Sequence, residues 1–326
     1  MEQPRKILFQ NYLSAGDILV MTAMIRDLHR NHPGKFITDV DTSCGEIWEN
    51  NPYITKLKYK KENDQVIFED PDAIVIKLKN ELIDRCQTPY HYIHDNMQFV
   101  EDALGIRIRP TEFKGEIYLS ELEKSWISQV EEMNIKTPFW IMMAGGKYDF
   151  TTKWWDPKRY QKIIDYFKGR ILFAQCGGKN HWHPKLSGVI DLVGKTDLRQ
   201  FIRLIYHASG VICPVTFAMH LASAVETKPG KPKLRPCVVI AGGREPSHWE
   251  AYPGHQYIHT IGCLPCDNGG CWKSRCQLLD DGDEKDKDPC TNSVRIDKNL
   301  IIPKCMDIIT AERVISRIEM YLEGMR

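Results

Sequence analysis

Ile7-Leu8-Phe9 is a short apolar run that stops at NYLSAGD. Apolar residues then return at helical spacing: Ile18, Leu19, Met21, Met24, Ile25 and Leu28. Asp17 stands where this helix starts, and Pro33 marks its end. KFITDVD reads as the next strand. EIWENNPYITKL reads as a short helix, a proline turn and another strand. DAIVIKL is a further strand, and HDNMQFVEDALGIRI a helix followed by a strand. This alternation predicts an open parallel sheet with helices on both faces.

A second cycle begins at PFWIMMAGG, an apolar run that ends in small residues. DPKRYQKIIDYF follows as a helix, RILFAQCGG as a strand, DLRQFIRLIYHA as an amphipathic helix and GVIC as a strand. FAMHLASAVE is then a helix, PCVVIAGG a strand, and TAERVISRIEMYLEGM a closing helix capped by Thr310, with Glu312 in its first turn. The fold class is therefore α/β, with two doubly wound domains facing each other across a cleft, residues 1–130 and 131–326. Ligands of such sheets bind beyond the carboxyl ends of the strands.

Composition changes the picture little. A chain of 326 residues is long enough for two domains. Lys+Arg is 44 against 43 for Asp+Glu, so nothing pulls nucleic acid or anionic lipid from a distance; a local basic patch stays open. No apolar run reaches the roughly 20 residues of a membrane span. The N-terminus lacks the apolar core of a secretory signal. The expected compartment is the cytoplasm, where the 11 cysteines would be reduced or metal-bound.

Three places carry candidate chemistry. Ser14–Asp17 is a strand-to-helix turn with a carboxylate, either a helix cap or a general base at the sheet's carboxyl edge. Lys153, in TTKWWDPKRY, is either a solvated loop lysine or a point charge for phosphate. Thr216, in PVTFAMHLASA, precedes a helix whose first N–H groups form a natural anion site; Thr216 as a cap and His220 as a packed helix residue are the plain alternatives. Neither a dinucleotide fingerprint nor a P-loop is present.

In order along the chain, ILFQNYLSAGDILVMTAMIRDLHRNHPG, KWWDPKRY, DLVGKTDLRQFIRLIYHASGVICPVTFAMHLASAVE and AGGREPSHWEAY resemble the glycosyltransferase family that contains the lipopolysaccharide heptosyltransferases. The resemblance implies a GT-B fold, with the acceptor held by the N-terminal domain and the nucleotide-sugar donor by the C-terminal one. It implies Asp17 as the base, Lys153 on the donor phosphates, and the helix start at Thr216, Met219 and His220 under the pyrophosphate. Gly243, in AGGREPSHWEAY, joins the donor site. The sequence departs from the family in one place: the family's Asp-Ser/Thr-Gly triplet is Val215-Thr216-Phe217 here, without the acid or the glycine.

Six cysteines fall between Cys263 and Cys305. This segment resembles the cysteine-rich finger of the bacterial autotransporter heptosyltransferases, in which four cysteines bind iron. The resemblance and the spacing give Cys266, Cys271, Cys290 and Cys305 as a four-thiolate structural site for zinc or iron, with CDNGGC as its tight turn. CLPC keeps Cys263 open as a substitute for Cys266, and Cys276 is a spare. The acidic run DDGDEKDKD lacks the ligand order of a calcium loop and reads as a solvated loop.

The resulting expectation is an inverting glycosyltransferase. It would move a heptose or related sugar from a nucleotide-diphosphate donor to a hydroxyl of a protein or glycan, with no divalent metal at the reacting centre. His91 or His94, in TPYHYIHDN, could line the acceptor side or serve the fold. A nucleotide-sugar epimerase and a non-catalytic binding module are the alternatives. The sequence leaves the sugar, the base and any homo-oligomer open.

Overall fold

A computed structural model of the chain describes residues 3–63, 65–79, 91–266 and 270–324. The chain divides into two compact units, Met1–Ser125 and Trp126–Arg326.

In the first unit, β1 (Arg5–Asn11) leads into α1 (Ala15–Asn31), followed by β2 (Phe36–Thr42), β3 (Tyr59–Glu62), β4 (Gln65–Phe68), β5 (Ile74–Lys77), α2 (Tyr92–Leu104) and α3 (Glu121–Ser125). β1 lies between β2 and β5, parallel to both. Its Ile7, Leu8 and Phe9 are fully buried, as a central strand covered on both faces requires. β3 and β4 form a separate antiparallel hairpin. The apolar face of α1 buries Ile18 through Leu28, and that run includes Arg26 and Asp27. Arg26 forms an ion pair with Asp27 at 2.9 Å and donates to the carbonyls of Lys114 (2.8 Å) and Glu112 (2.5 Å). The segment after α2 is thereby tied to α1.

Two expected strands are absent among the described residues. ITKL contributes a single bridge from Ile54 to Thr38. After α2, the N–H of Ile108 is taken by Glu101 Oε1 (2.6 Å) and that of Arg109 by Asn31 Oδ1 (3.0 Å). Side chains satisfy this backbone where a neighbouring strand would have done so.

The second unit begins with α4 (Gln129–Glu132) and β6 (Phe139–Met142). It continues through α5 (Pro157–Tyr166), β7 (Leu172–Gln175), β8 (Ile190–Asp191), α6 (Leu198–His207), β9 (Gly210–Pro214), α7 (Phe217–Ala224), β10 (Cys237–Gly242), α8 (Ser247–Glu250) and β11 (His255–His259). The unit closes with β12 (Ser293–Arg295), β13 (Ile301–Pro303), α9 (Lys304–Asp307) and α10 (Ala311–Gly324). The parallel sheet runs in the order β11-β10-β9-β6-β7-β8. The first strand of the unit, β6, therefore stands in the middle, and the chain reverses its direction of travel between β6 and β9. That topological switch point is where a doubly wound sheet opens a crevice for its ligand. The core joins β6, β7, β9 and β10 to α5 and α10 through Trp140, Trp155, Phe167, Ile240 and Ile315. No helix among the described residues is long and apolar enough to cross a membrane.

The acidic run is not simply solvated. It wraps Arg275, which is 1% exposed and pairs with Asp281 (2.8 Å) and Asp286 (2.9 Å). Asp283 and Asp149 stand farther off, at 3.6 and 4.0 Å. A guanidinium occupies the centre of the loop and orders these carboxylates around itself. Its bond to Asp281, helped by the N–H of Asp283, holds that carboxyl down at about 2.

Candidate functional site

Lys153 ends a tight 3-10 turn, Tyr148–Lys153, on the way from β6 to α5. Its ammonium crosses the switch point and donates to the carbonyl of Val215 at 3.1 Å. Val215 immediately follows β9 and precedes Thr216, the N-cap of α7. Thr216 is extended, and its hydroxyl makes no cap bond. Its Oγ1 is buried without a hydrogen-bond partner. A buried hydroxyl at a helix start is costly unless something completes it. An anion accepted by the first N–H groups of α7 would do so.

A third segment closes on the same point. Glu245, 5% exposed, follows β10 and pairs with Lys153 at 2.9 Å. Its other oxygen takes the guanidinium of Arg244. The Phe150 ring lies under both cations, 5.3 Å from Lys153 Nζ and 4.9 Å from the Arg244 guanidinium. Sequence reading missed Arg244 and Glu245. A signal for them existed: three parallel strands end in the same tetrapeptide pattern, Ala144-Gly145-Gly146-Lys147, Cys176-Gly177-Gly178-Lys179 and Ala241-Gly242-Gly243-Arg244. The glycines have a packing reason. Gly145 has φ +94°, and a Cβ there would lie 2.0 Å from the carbonyl oxygen of Trp182. The loop after β7 folds back on this spot, with Gly146 and Trp182 exchanging backbone bonds of 2.9 and 3.0 Å. Trp182 then stacks on Trp154, the neighbour of Lys153, at 4.3 Å.

The other residues expected at the donor lie at varying depths. Met219 is fully buried, and its N–H bonds to the carbonyl of Thr216 at 3.0 Å within the first turn of α7. His220 is buried, with Nδ1 2.7 Å from Tyr252 Oη and Nε2 3.6 Å from Glu250. Its ring is thus engaged by protein groups. Gly243 accepts the N–H of Cys271 at 3.0 Å.

In the first unit, Asp17 stands in the opening turn of α1, with Ser14 rather than Asp17 as the N-cap. The Ser14 N–H donates to Asp17 Oδ2 at 3.1 Å, which makes Asp17 the acidic half of a capping box. At the same carboxyl edge, Asp41 accepts from Tyr12 Oη (2.5 Å), Lys61 Nζ (2.6 Å) and Gln10 Nε2 (2.8 Å). Burial works to raise the Asp41 carboxyl, yet Lys61, Tyr12 and Gln10 hold it below its ordinary value. Burial and Asp41 together push the Tyr12 phenol up. The sequence did not flag this cluster, because its members lie on β1, β2 and β3 or just after them. His91 caps α2, where its Nδ1 accepts the Ile93 N–H at 3.2 Å. His94 lies 5.5 Å from the Phe113 ring. Residues 88–90 of TPYHYIHDN lie outside the described residues.

The cysteine segment is tied to the turns that bear Lys153 and Arg244 through the carbonyl of Lys273. Residues 267–269 of CDNGGC lie outside the described residues. Among those described, no three His, Cys, Asp or Glu side chains form a group ready to hold a metal ion. The four predicted ligands therefore do not stand as a preformed site. Charge on Cys271 and Cys266 reaches Cys290, and charge on Cys290 and Cys271 reaches Cys305. Burial, with these neighbours adding to it, pushes the Cys305 thiol up to about 11. Two N–H groups point at these sulfurs, Lys273 N to Cys271 at 3.4 Å and Asn292 Nδ2 to Cys266 at 3.6 Å. Cys276 is buried and occupied elsewhere, with its thiol on the carbonyls of Ile301 (3.4 Å) and Thr151 (3.5 Å). Cys263 is exposed.

Comparison with known proteins agrees with this architecture. Residues 73–229 match the model of glycosyltransferase family 9 (heptosyltransferase). No curated protein matches the chain by sequence. Among solved structures, the glycosyl transferase family 9 protein of Veillonella parvula DSM 2008 superposes with a TM-score of 0.65 at 15% identity, over 99% of each chain. The iron-containing dodecameric glycosyltransferase TibC of enterotoxigenic E. coli H10407 also gives 0.65, at 16% identity, over 100% of this chain and 78% of that one. The E. coli ADP-heptose lipopolysaccharide heptosyltransferase II gives 0.57, at 14% identity, over 98% and 99%. The α/β fold with parallel sheets matches the GT-B structures of this family, and match and fold together support a glycosyltransferase enzyme.

Proposed function

We propose that this family-9-like glycosyltransferase moves a heptose or related sugar from a nucleotide-diphosphate donor to an acceptor hydroxyl, with inversion at the anomeric carbon. The observation that carries the reading is the convergence at the β6/β9 switch point. Lys153, the unpartnered hydroxyl of Thr216 and the first turn of α7 meet there. These groups supply what a departing nucleotide diphosphate needs: a fixed cation, a hydroxyl donor and a helix N-terminus. ADP-D-β-D-heptose is the ligand in a complex of TibC, and an ADP-sugar is the first donor to test here.

In the step proposed, Asp17 accepts the proton of the acceptor hydroxyl. The acceptor oxygen forms a bond to the anomeric carbon. The bond from that carbon to the diphosphate oxygen breaks, and its electron pair leaves on the diphosphate, where Lys153 and α7 meet the charge. No divalent metal is assigned to this step.

The four thiols of Cys266, Cys271, Cys290 and Cys305 have the chemistry of a tetrahedral zinc or iron site, and the N–H donors on Cys271 and Cys266 suit thiolates there. A bound metal would supply positive charge and a cross-link, once the four sulfurs draw in to ligand distance.

The test is titration of the purified protein with ADP and ADP-sugars, followed by detection of ADP release. Absence of binding and of release across nucleotide-diphosphate sugars would reject the reading.

A further inference from the structure

Glu245 is a buried carboxylate placed where an anionic ligand is expected, which at first works against the site. Its geometry explains its presence. One oxygen is on Lys153 at 2.9 Å and the other on the Arg244 guanidinium. Its surroundings are held as well: Tyr257 Oη donates to the Glu245 carbonyl at 2.9 Å, and the Arg244 side chain donates through Nε to the carbonyl of Lys273 at 3.1 Å. That same Lys273 carbonyl accepts from Thr152 Oγ1 at 2.9 Å, next to Lys153 in the chain. The turn bearing Lys153 and the turn bearing Glu245 therefore rest on one peptide of the cysteine segment.

A lysine has a long flexible stem and loses rotamer freedom when it is held. Two cations drawn over one Phe150 ring also repel each other. A carboxylate between them offsets the repulsion and fixes the ammonium before any ligand arrives, leaving one net positive charge. Preorganisation of this kind is what raises affinity for a charged group.

We propose that Glu245 is the positioning residue of the donor site, holding Lys153 and Arg244 in place for the donor's diphosphate. This inference rests on the donor reading above.

The test is a double-mutant cycle on the full chain, read by calorimetric titration with ADP and, separately, adenosine. Glu245→Gln should weaken ADP binding about tenfold, as expected for loss of a charge-assisted contact, and leave adenosine binding unchanged. With Lys153→Ala already present, Glu245→Gln should cost ADP binding clearly less than it does in the wild type, because part of its effect runs through Lys153. Should the glutamine variant fail to fold, Glu245→Asp decides: its shorter carboxylate cannot span both cations, and ADP but not adenosine should bind more weakly. Undiminished or tighter ADP binding in these variants, or additive losses in the cycle, would overturn the proposal while leaving the donor reading intact. A wild-type chain that binds no ADP would instead reject the donor reading and this inference together.

Discussion

The ammonium of Lys153 lies 3.1 Å from the carbonyl of Val215, the residue before the N-cap of α7. This bond places a cation from the β6 loop at the start of a helix that follows β9. A diphosphate bound to the first turn of α7 would meet both at once.

Lys153→Ala should therefore weaken binding of a nucleoside diphosphate by about tenfold and leave the nucleoside alone nearly unaffected, because a lysine charge acts on phosphate. Calorimetry with the paired ligands checks this. Equal losses for both would point to general damage in the second unit.

Asp17, the proposed base, is also the acidic half of a capping box, and the two roles are separable. Asn retains a carbonyl oxygen that can accept the Ser14 N–H, so Asp17→Asn should keep the helix start and thermal stability while transfer is lost. Asp17→Ala should lose transfer and also about 1 kcal/mol of stability, because the capping box is broken. ADP release and thermal unfolding, measured on both variants, separate base from cap. Near-normal turnover in the asparagine variant would leave Asp17 a cap alone.

Cys290 is one of the four proposed metal ligands, and its N–H bonds to the Arg275 carbonyl at 2.7 Å. Cys290→Ser should lower metal content and melting temperature together, whether the metal is zinc or iron. Elemental analysis of protein prepared without chelator gives the reference value. Well below one equivalent in the wild type would remove the metal from the account of this segment.

Burial, with Arg235 close by, lowers the His255 imidazole to about 4. In the unfolded chain a histidine titrates near 6.5. Between those values the unfolded chain binds a proton that the folded chain refuses. Stability should therefore fall as pH drops from about 6.5 toward 4, by at most ~3 kcal/mol from this residue. His255→Gln removes that part of the slope. Urea unfolding of both proteins at pH 4.5 and 7 reads the difference; parallel pH profiles would exclude His255 as the source.

The sequence by itself determined the α/β alternation, and it did so because periodicity is a local property. Ile7–Phe9, the α1 face from Ile18 to Leu28, and the strands at Trp140, Phe173, Ile212 and Val239 declare their burial along a few consecutive residues. It also marked Lys153 and Thr216, because loop and helix-start chemistry follow directly from residue type and neighbours. Short polar strands such as His255–His259 and Ser293–Arg295 escaped, since their pairing partners rather than their own pattern make them strands. The strand expected near Ile108 failed for the converse reason: side chains of Glu101 and Asn31 took its backbone bonds. Tertiary structure alone decided the rest. The sheet order brings the ends of β6, β9 and β10 together, so Glu245 reaches Lys153 across 92 positions of sequence, an ion pair no local pattern encodes. The acidic run acquires its meaning only when Arg275 is buried inside it. Charge pairing of this kind depends on distance in space, which only the folded chain fixes.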